Sequence, residues 1–256
     1  MPVIYEKTTG VLKTGDLQIT QPTGTLIFEM SKRPNDLTNE KISIWIERAG
    51  ASNVYLATKI SLKDFLYSCL CNDKGKVFNP FGEENIIVAN IGLEAAINIK
   101  DGEKMKVSLE GLIATDTYKI SYVPHFESTN SYLSFEYKAI VEGYKDQTID
   151  VSECDVAVIG MTNTLNEIGI TMFGTDEKRF TPRELQILQL EDTPFVGFTV
   201  DNQVEQLDKN VIILPTQGIS KLRFYKDSSG IIPITLMKRD ELIPATSKAG
   251  YPLKLR

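Results

Sequence analysis

Histidine is almost missing from this chain: His125 is the only one in 256 residues. Any Ser-His-Asp or Cys-His arrangement would have to be built on it. It follows Pro124 within VPHFESTNS, a stretch that interrupts the surrounding alternation and reads as a solvated linker. Cysteine is also scarce. Cys69, Cys71 and Cys154 are too few, and odd in number, for a disulfide framework, which suits a reducing compartment. Cys69-Leu-Cys71 lacks the spacing of a zinc-binding pair and lies among Phe65, Leu66 and Leu70, so core packing is its expected role. Phosphate-binding glycine loops, dinucleotide fingerprints, zinc-protease, nucleophile-elbow and EF-hand patterns are all lacking, and neither a cofactor nor catalysis is expected. No apolar run approaches the roughly 18 residues of a membrane-spanning helix. The opening MPVIYEKTTG has no secretion-signal pattern. A net charge of −6 without a basic stripe excludes specific nucleic acid as the expected partner.

Alternation is what the chain has in abundance. In KISIWIER (Lys41–Arg48), Ile42, Ile44 and Ile46 share one face and Ser43, Trp45 and Glu47 the other, the period of a half-buried strand. Segments such as GTLIFEM, ENIIVAN, MKVSLEGL, SYLSFEYKAIV, DVAVIGM and NVIILP read the same way, bounded by Gly, Pro, Asn or Asp. About a dozen or more such strands predict sandwiches or barrels. Helical signals are few. Ser61-Leu-Lys-Asp64 and Thr181-Pro-Arg-Glu184 resemble capping boxes, with Pro182 at the first helical position. Each predicts one short helix, and Asp64 is the shorter, weaker partner for its cap.

The two caps belong to a longer repeat. GDLQITQPTGTLIFEMS aligns with KDQTIDVSECDVAVIGMT at an offset of 130, matching Ile19 to Ile149, Leu26 to Val156 and Phe28 to Val158. LTNEKISIW aligns with LNEIGITMF at 128, matching Ile42 to Ile170 and Trp45 to Phe173. The caps match at 120, and Gly92 and Lys100-Asp101 match Gly218 and Lys226-Asp227 at 126. Order is kept throughout, so the expectation is a tandem duplication with its boundary near His125–Ser131.

Two β-rich halves, each with one short capped helix, resemble the double jelly-roll major capsid proteins of tailless, lipid-containing icosahedral phages, the lineage that includes adenovirus hexon in much larger form. The resemblance rests on length, strand number and the duplication, and covers nearly the whole chain. It implies an all-β fold of two tandem eight-stranded jelly-roll barrels, each with one short helix, over residues 1–128 and 129–256. It implies a structural, non-enzymatic viral protein whose homotrimers form pseudo-hexagonal capsomers of an icosahedral shell over an internal membrane. The implied partners are neighbouring capsomers, minor capsid proteins and an internal lipid bilayer. The implied location is the virion, assembled in the host cytoplasm.

Particular residues follow from this reading. Trp45 and Phe173 lie on the polar faces of their strands and are candidates for subunit contacts, since an outward aromatic beside inward isoleucines needs cover. The tail ATSKAGYPLKLR carries Lys248, Lys254 and Arg256 and no acid, so it is a candidate to face an anionic bilayer or packaged genome. A second reading stays open: a two-domain β-sandwich binding module, such as an adhesin or a carbohydrate-binding appendage protein.

Overall fold

Alternating segments become strands in the computed structural model, which describes residues 1–6, 10–71, 77–78, 85–93, 95–192, 198–200, 203–205 and 210–242. In the N-terminal half these are β1 (Val3–Glu6), β2 (Leu17–Ile19), β3 (Thr23–Met30), β4 (Lys41–Glu47), β5 (Val54–Ser61), β6 (Asn85–Asn90), β7 (Lys104–Glu110) and β8 (Tyr118–Pro124). Helix α1 (Leu62–Cys71) follows β5. The C-terminal half contains β9 (Ser131–Ile140), β10 (Asp146–Asp150), β11 (Cys154–Gly160), β12 (Leu165–Met172), β13 (Lys178–Phe180), β14 (Val211–Pro215), β15 (Ile219–Lys226) and β16 (Ile232–Glu241). Helix α2 (Pro182–Asp192) follows β13. A few shorter strands, such as Ala96–Ile97 and Ser128–Thr129, decorate the edges.

Pairing repeats with the same order in both halves. The first half stacks a β1-β8-β3-β6 sheet on a β2-β7-β4-β5 sheet; the second stacks β9-β16-β11-β14 on β10-β15-β12-β13. Each strand thus has a counterpart eight positions later with equivalent neighbours, in the Greek-key order of a jelly roll. Each half is an open two-sheet sandwich, not the closed barrel expected: among the described residues no ladder joins its two sheets. The sheets meet instead through the side chains of their inner faces. The edge that closure would have used is taken by the other half. β5 pairs in parallel with β9 at Ala57–Phe135, so one eight-stranded sheet runs through both sandwiches.

Register corrects three parts of the sequence repeat. Ile19 faces Met105, which faces Ile46; Ile149 faces Leu222, which faces Ile170. Ile46, not Ile42, is therefore the counterpart of Ile170, and Trp45 and Phe173 are four residues out of register. Leu26 and Phe28 point into the first core, whereas Val156 and Val158 point out of the second sandwich and Ala157 and Ile159 point in. A slip of one residue exchanges the faces of a strand. The slip was invisible because both faces of β11 are apolar. Lys100-Asp101 precedes β7, while Lys226-Asp227 ends its counterpart β15, so that match crosses a strand. The caps at Ser61 and Thr181 and the pair Ile19–Ile149 lie at equivalent places.

Candidate functional site

The joint between the sandwiches brings together side chains and backbone of both halves. It begins at α1. Ser61, the last residue of β5, accepts the Asp64 N–H at 3.4 Å, and the Leu62 N–H donates to the Glu40 carbonyl at 2.8 Å. The Glu40 carboxylate is buried. It accepts the Thr38 N–H at 2.8 Å, the Asn39 N–H at 3.0 Å and the Tyr118 hydroxyl at 2.9 Å, and pairs with Lys32 at 3.3 Å. Burial alone would raise its pKa, but the backbone donors, Tyr118 and Lys32 outweigh it and hold the carboxyl below its ordinary range. The first turn of α1 is thereby fixed to the first sandwich.

The rest of α1 is shared. Leu62, Phe65, Leu66, Tyr67, Ser68, Cys69, Leu70 and Cys71 are all buried. The Phe65 ring lies 6.1 Å from Phe28 of β3 and 4.8 Å from Phe135 of β9, one aromatic from each half. The far side of α1 packs on the outward residues of the second sandwich, including Val156, Val158, Ile213 and Met237. Thr235, fully buried on β16, donates its hydroxyl to the Asp64 carboxylate at 3.0 Å. Asp64 therefore ties the halves together. At α2 the box is complete: Glu184 accepts the Thr181 N–H at 2.7 Å and hydroxyl at 2.9 Å, and its own N–H donates back at 3.3 Å.

Backbone completes the joint. The Leu133 N–H donates to the Ile91 carbonyl at 2.8 Å, and Gly92 bridges to Tyr132. Gly92 and Gly24 pass so closely that a Cβ on Gly92 would stand 2.9 Å from the Gly24 Cα. Only glycine fits there. A cavity of about 310 Å³ remains between the halves, lined by Ser68, Cys69, Asn90, Leu133 and Arg239 among others. Arg239 is paired with Asp155 at 2.9 Å. Burial, then Asp240, pushes the Tyr132 phenol up to about 12, and burial pushes the Cys71 thiol up to about 11. Both stay neutral near pH 7.

Residues singled out in the sequence fall apart spatially. Trp45 is half-buried on the outward face of β4, between Tyr55 and Lys106. Phe173 lies just past β12 and is 61% exposed. His125 is exposed, and its Nδ1 accepts the Glu127 N–H at 3.2 Å. Lys248, Lys254 and Arg256 lie outside the described residues. Among the described residues no group of three His, Cys, Asp or Glu is placed to hold a metal ion. The joint itself was missed, although a signal existed: LKDFLYSCLC is apolar almost all round, which marks a helix covered on every side.

No family model and no curated protein matches this sequence. Solved structures do match. The major capsid protein P2 from Bacteriophage PM2 aligns over 97% of this chain and 98% of its own, with a TM-score of 0.56 and 10% identity. The chain has the fold of that capsid protein. A chain from the atomic structure of Sulfolobus Turreted Icosahedral Virus aligns over 92% of this chain and 87% of its own, with a TM-score of 0.52 and 7% identity. At such identities the fold is what is shared. It extends across both sandwiches, since the alignments span the chain.

Proposed function

We propose that this chain is a viral structural protein, the major capsid subunit of an icosahedral shell. The observation that carries this reading is one strand topology present twice in one chain, aligned end to end with a phage major capsid protein. On this reading, residues 1–128 and 129–256 are two jelly-roll copies of one ancestral unit. Three chains place six near-equivalent sandwiches around a pseudo-sixfold axis, and the resulting capsomers tile a shell over an internal membrane. The protein's work is packing, not catalysis. Trp45 and Phe173 are assigned to contacts with neighbouring copies. Lys248, Lys254 and Arg256 are assigned to an anionic bilayer or the packaged genome, each charge adding about 1 kcal/mol at a membrane surface. Minor capsid proteins are further partners, and assembly takes place in the host cytoplasm.

Size-exclusion chromatography with light scattering is expected to give a trimer, and electron microscopy hexagon-outlined particles. A monodisperse monomer at high concentration, without lattice or shell, sinks the capsid reading. It favours instead a two-sandwich binding module, for which sugar-dependent quenching of Trp45 fluorescence is the expected mark.

A further inference from the structure

The open edge of the second sandwich holds a hollow that the assembly proposed above does not call on. It lies where the two sheets part, between β13 with α2 on one side and β14 on the other. Its volume is about 500 Å³, within the range of about 300–1,000 Å³ typical of small-molecule sites. Ile170, Phe180, Leu185 and Leu214 give it apolar walls. Met172 and Leu188 line it while remaining 54% and 42% exposed, so they mark its mouth. Lys178 and Asp176 line it too; both are exposed, and neither side chain forms an ion pair among the described residues. We infer that this hollow binds a single-chain amphiphile. An apolar chain enters between the sheets, and a zwitterionic head, phosphate with ammonium, meets Lys178 and Asp176 at the mouth.

Two differences from the first sandwich support the site. The first concerns the helices. Four residues after its cap, α1 places Phe65, whose ring meets Phe28 and Phe135. Four residues after its own cap, α2 places Leu185. The smaller side chain leaves room beneath α2. The second concerns register. Ile46 and Ile170 are counterparts; Ile46 faces Val54, and Ile170 faces Lys178. Directly opposed residues of an antiparallel pair share a face, and Ile170 points into the second core. Lys178 therefore springs from the inner face, where its counterpart Val54 packs against the first core. A cation on the inner side of an edge strand, at the mouth of an apolar hollow, is placed to hold an anionic group. Asp176, two residues earlier, supplies the opposite sign. A head that carries both signs pairs with both side chains, whereas a head of one sign sets one of them against itself. The chain supplies the rest of the affinity by leaving water for apolar walls.

Calorimetric titration with alkylphosphocholines, kept below their critical micelle concentrations, tests the site. Octyl-, decyl- and dodecylphosphocholine are expected to bind one per chain, with affinity rising about fourfold for each added methylene that the hollow buries. Leu188→Trp, at an exposed position, is expected to obstruct the mouth and abolish saturable binding with unchanged far-UV circular dichroism. Lys178→Ala and Asp176→Asn are each expected to weaken dodecylphosphocholine about two- to fivefold, and decanoate is expected to bind more weakly than decylphosphocholine. A wild type without saturable binding overturns the site, as does binding that all three variants leave unchanged. Binding that Leu188→Trp abolishes but the two charge variants do not alter overturns the zwitterionic head. Flotation with phosphatidylcholine vesicles separates the sources of such a head: a wild type that floats yet ignores the free chains overturns the single-chain ligand. Binding is read per chain, so its failure leaves the capsid reading standing, and a monomeric wild type leaves the site standing.

Discussion

Helices α1 and α2 start alike and finish in different surroundings. Both follow the fifth strand of a sandwich and both carry a hydroxyl cap, yet α1 is buried along its length while α2 exposes Ile187 and Leu188. Their compositions differ to match: LKDFLYSCLC against PRELQILQLED. Equivalent position in a repeat does not bring equivalent burial. What decides is the neighbour beyond the repeat, which for α1 is the second sandwich. Even the caps respond. Asp64 accepts from Thr235 of the other half, whereas Glu184 bonds Thr181 at its own helix start.

Substitutions that break this contrast differ in size. Phe65→Ala removes the ring that touches both halves and is expected to cost about 3–5 kcal/mol in urea unfolding. Next comes acid. Glu40, under the start of α1, has its pKa below the ordinary 4.5. Its stabilisation is therefore present above about pH 4.5 and lost as pH falls through the lower folded value. Asn163, its counterpart by strand register once the bulge between Leu165 and Glu167 is counted, carries no charge. Acid is expected to loosen the first sandwich before the second, as hydrogen exchange of β4 against β12 will show, and Glu40→Gln is expected to flatten the pH dependence. Asp64→Ala leaves the buried Thr235 hydroxyl unpaired and is expected to cost about 1–3 kcal/mol. Adding Thr235→Val to it is expected to recover part of that loss, a coupling that a double-mutant cycle reads. Thr181→Ala is expected to cost about 1 kcal/mol through the lost cap. Leu188→Ala, on the exposed side of α2, is expected to shift single-chain stability by less than about 0.5 kcal/mol. A larger loss there, measured on a chain shown to be monomeric, would mean that α2 is covered by its own sandwich, and the contrast with α1 would disappear.

Much of the architecture was legible because local rules dominate it. Ile42, Ile44 and Ile46 announce a strand with one buried face, and that face is buried. Ser61 and Thr181 announce helix starts, and both cap helices. The order of elements showed that the halves repeat. Register was not legible. In β11, Val156, Ala157, Val158 and Ile159 are all apolar, and a strand covered on both faces has no polar side to set its phase. The slide that set Trp45 against Phe173 has a similar origin: isoleucines recur in β4 and β12, and nothing local distinguishes one alignment from another.

The sequence by itself determined strands, caps, the scarcity of histidine and cysteine and the repetition of one plan, because composition is fixed residue by residue and period-two patterning and capping depend on near neighbours along the chain. Only the tertiary structure decided that the sheets stay open, that β5 hands its edge to β9, and that Asp64 reaches Thr235 across 171 positions. Those outcomes depend on which surfaces meet, and an apolar face is compatible with any apolar partner until the whole chain is in place.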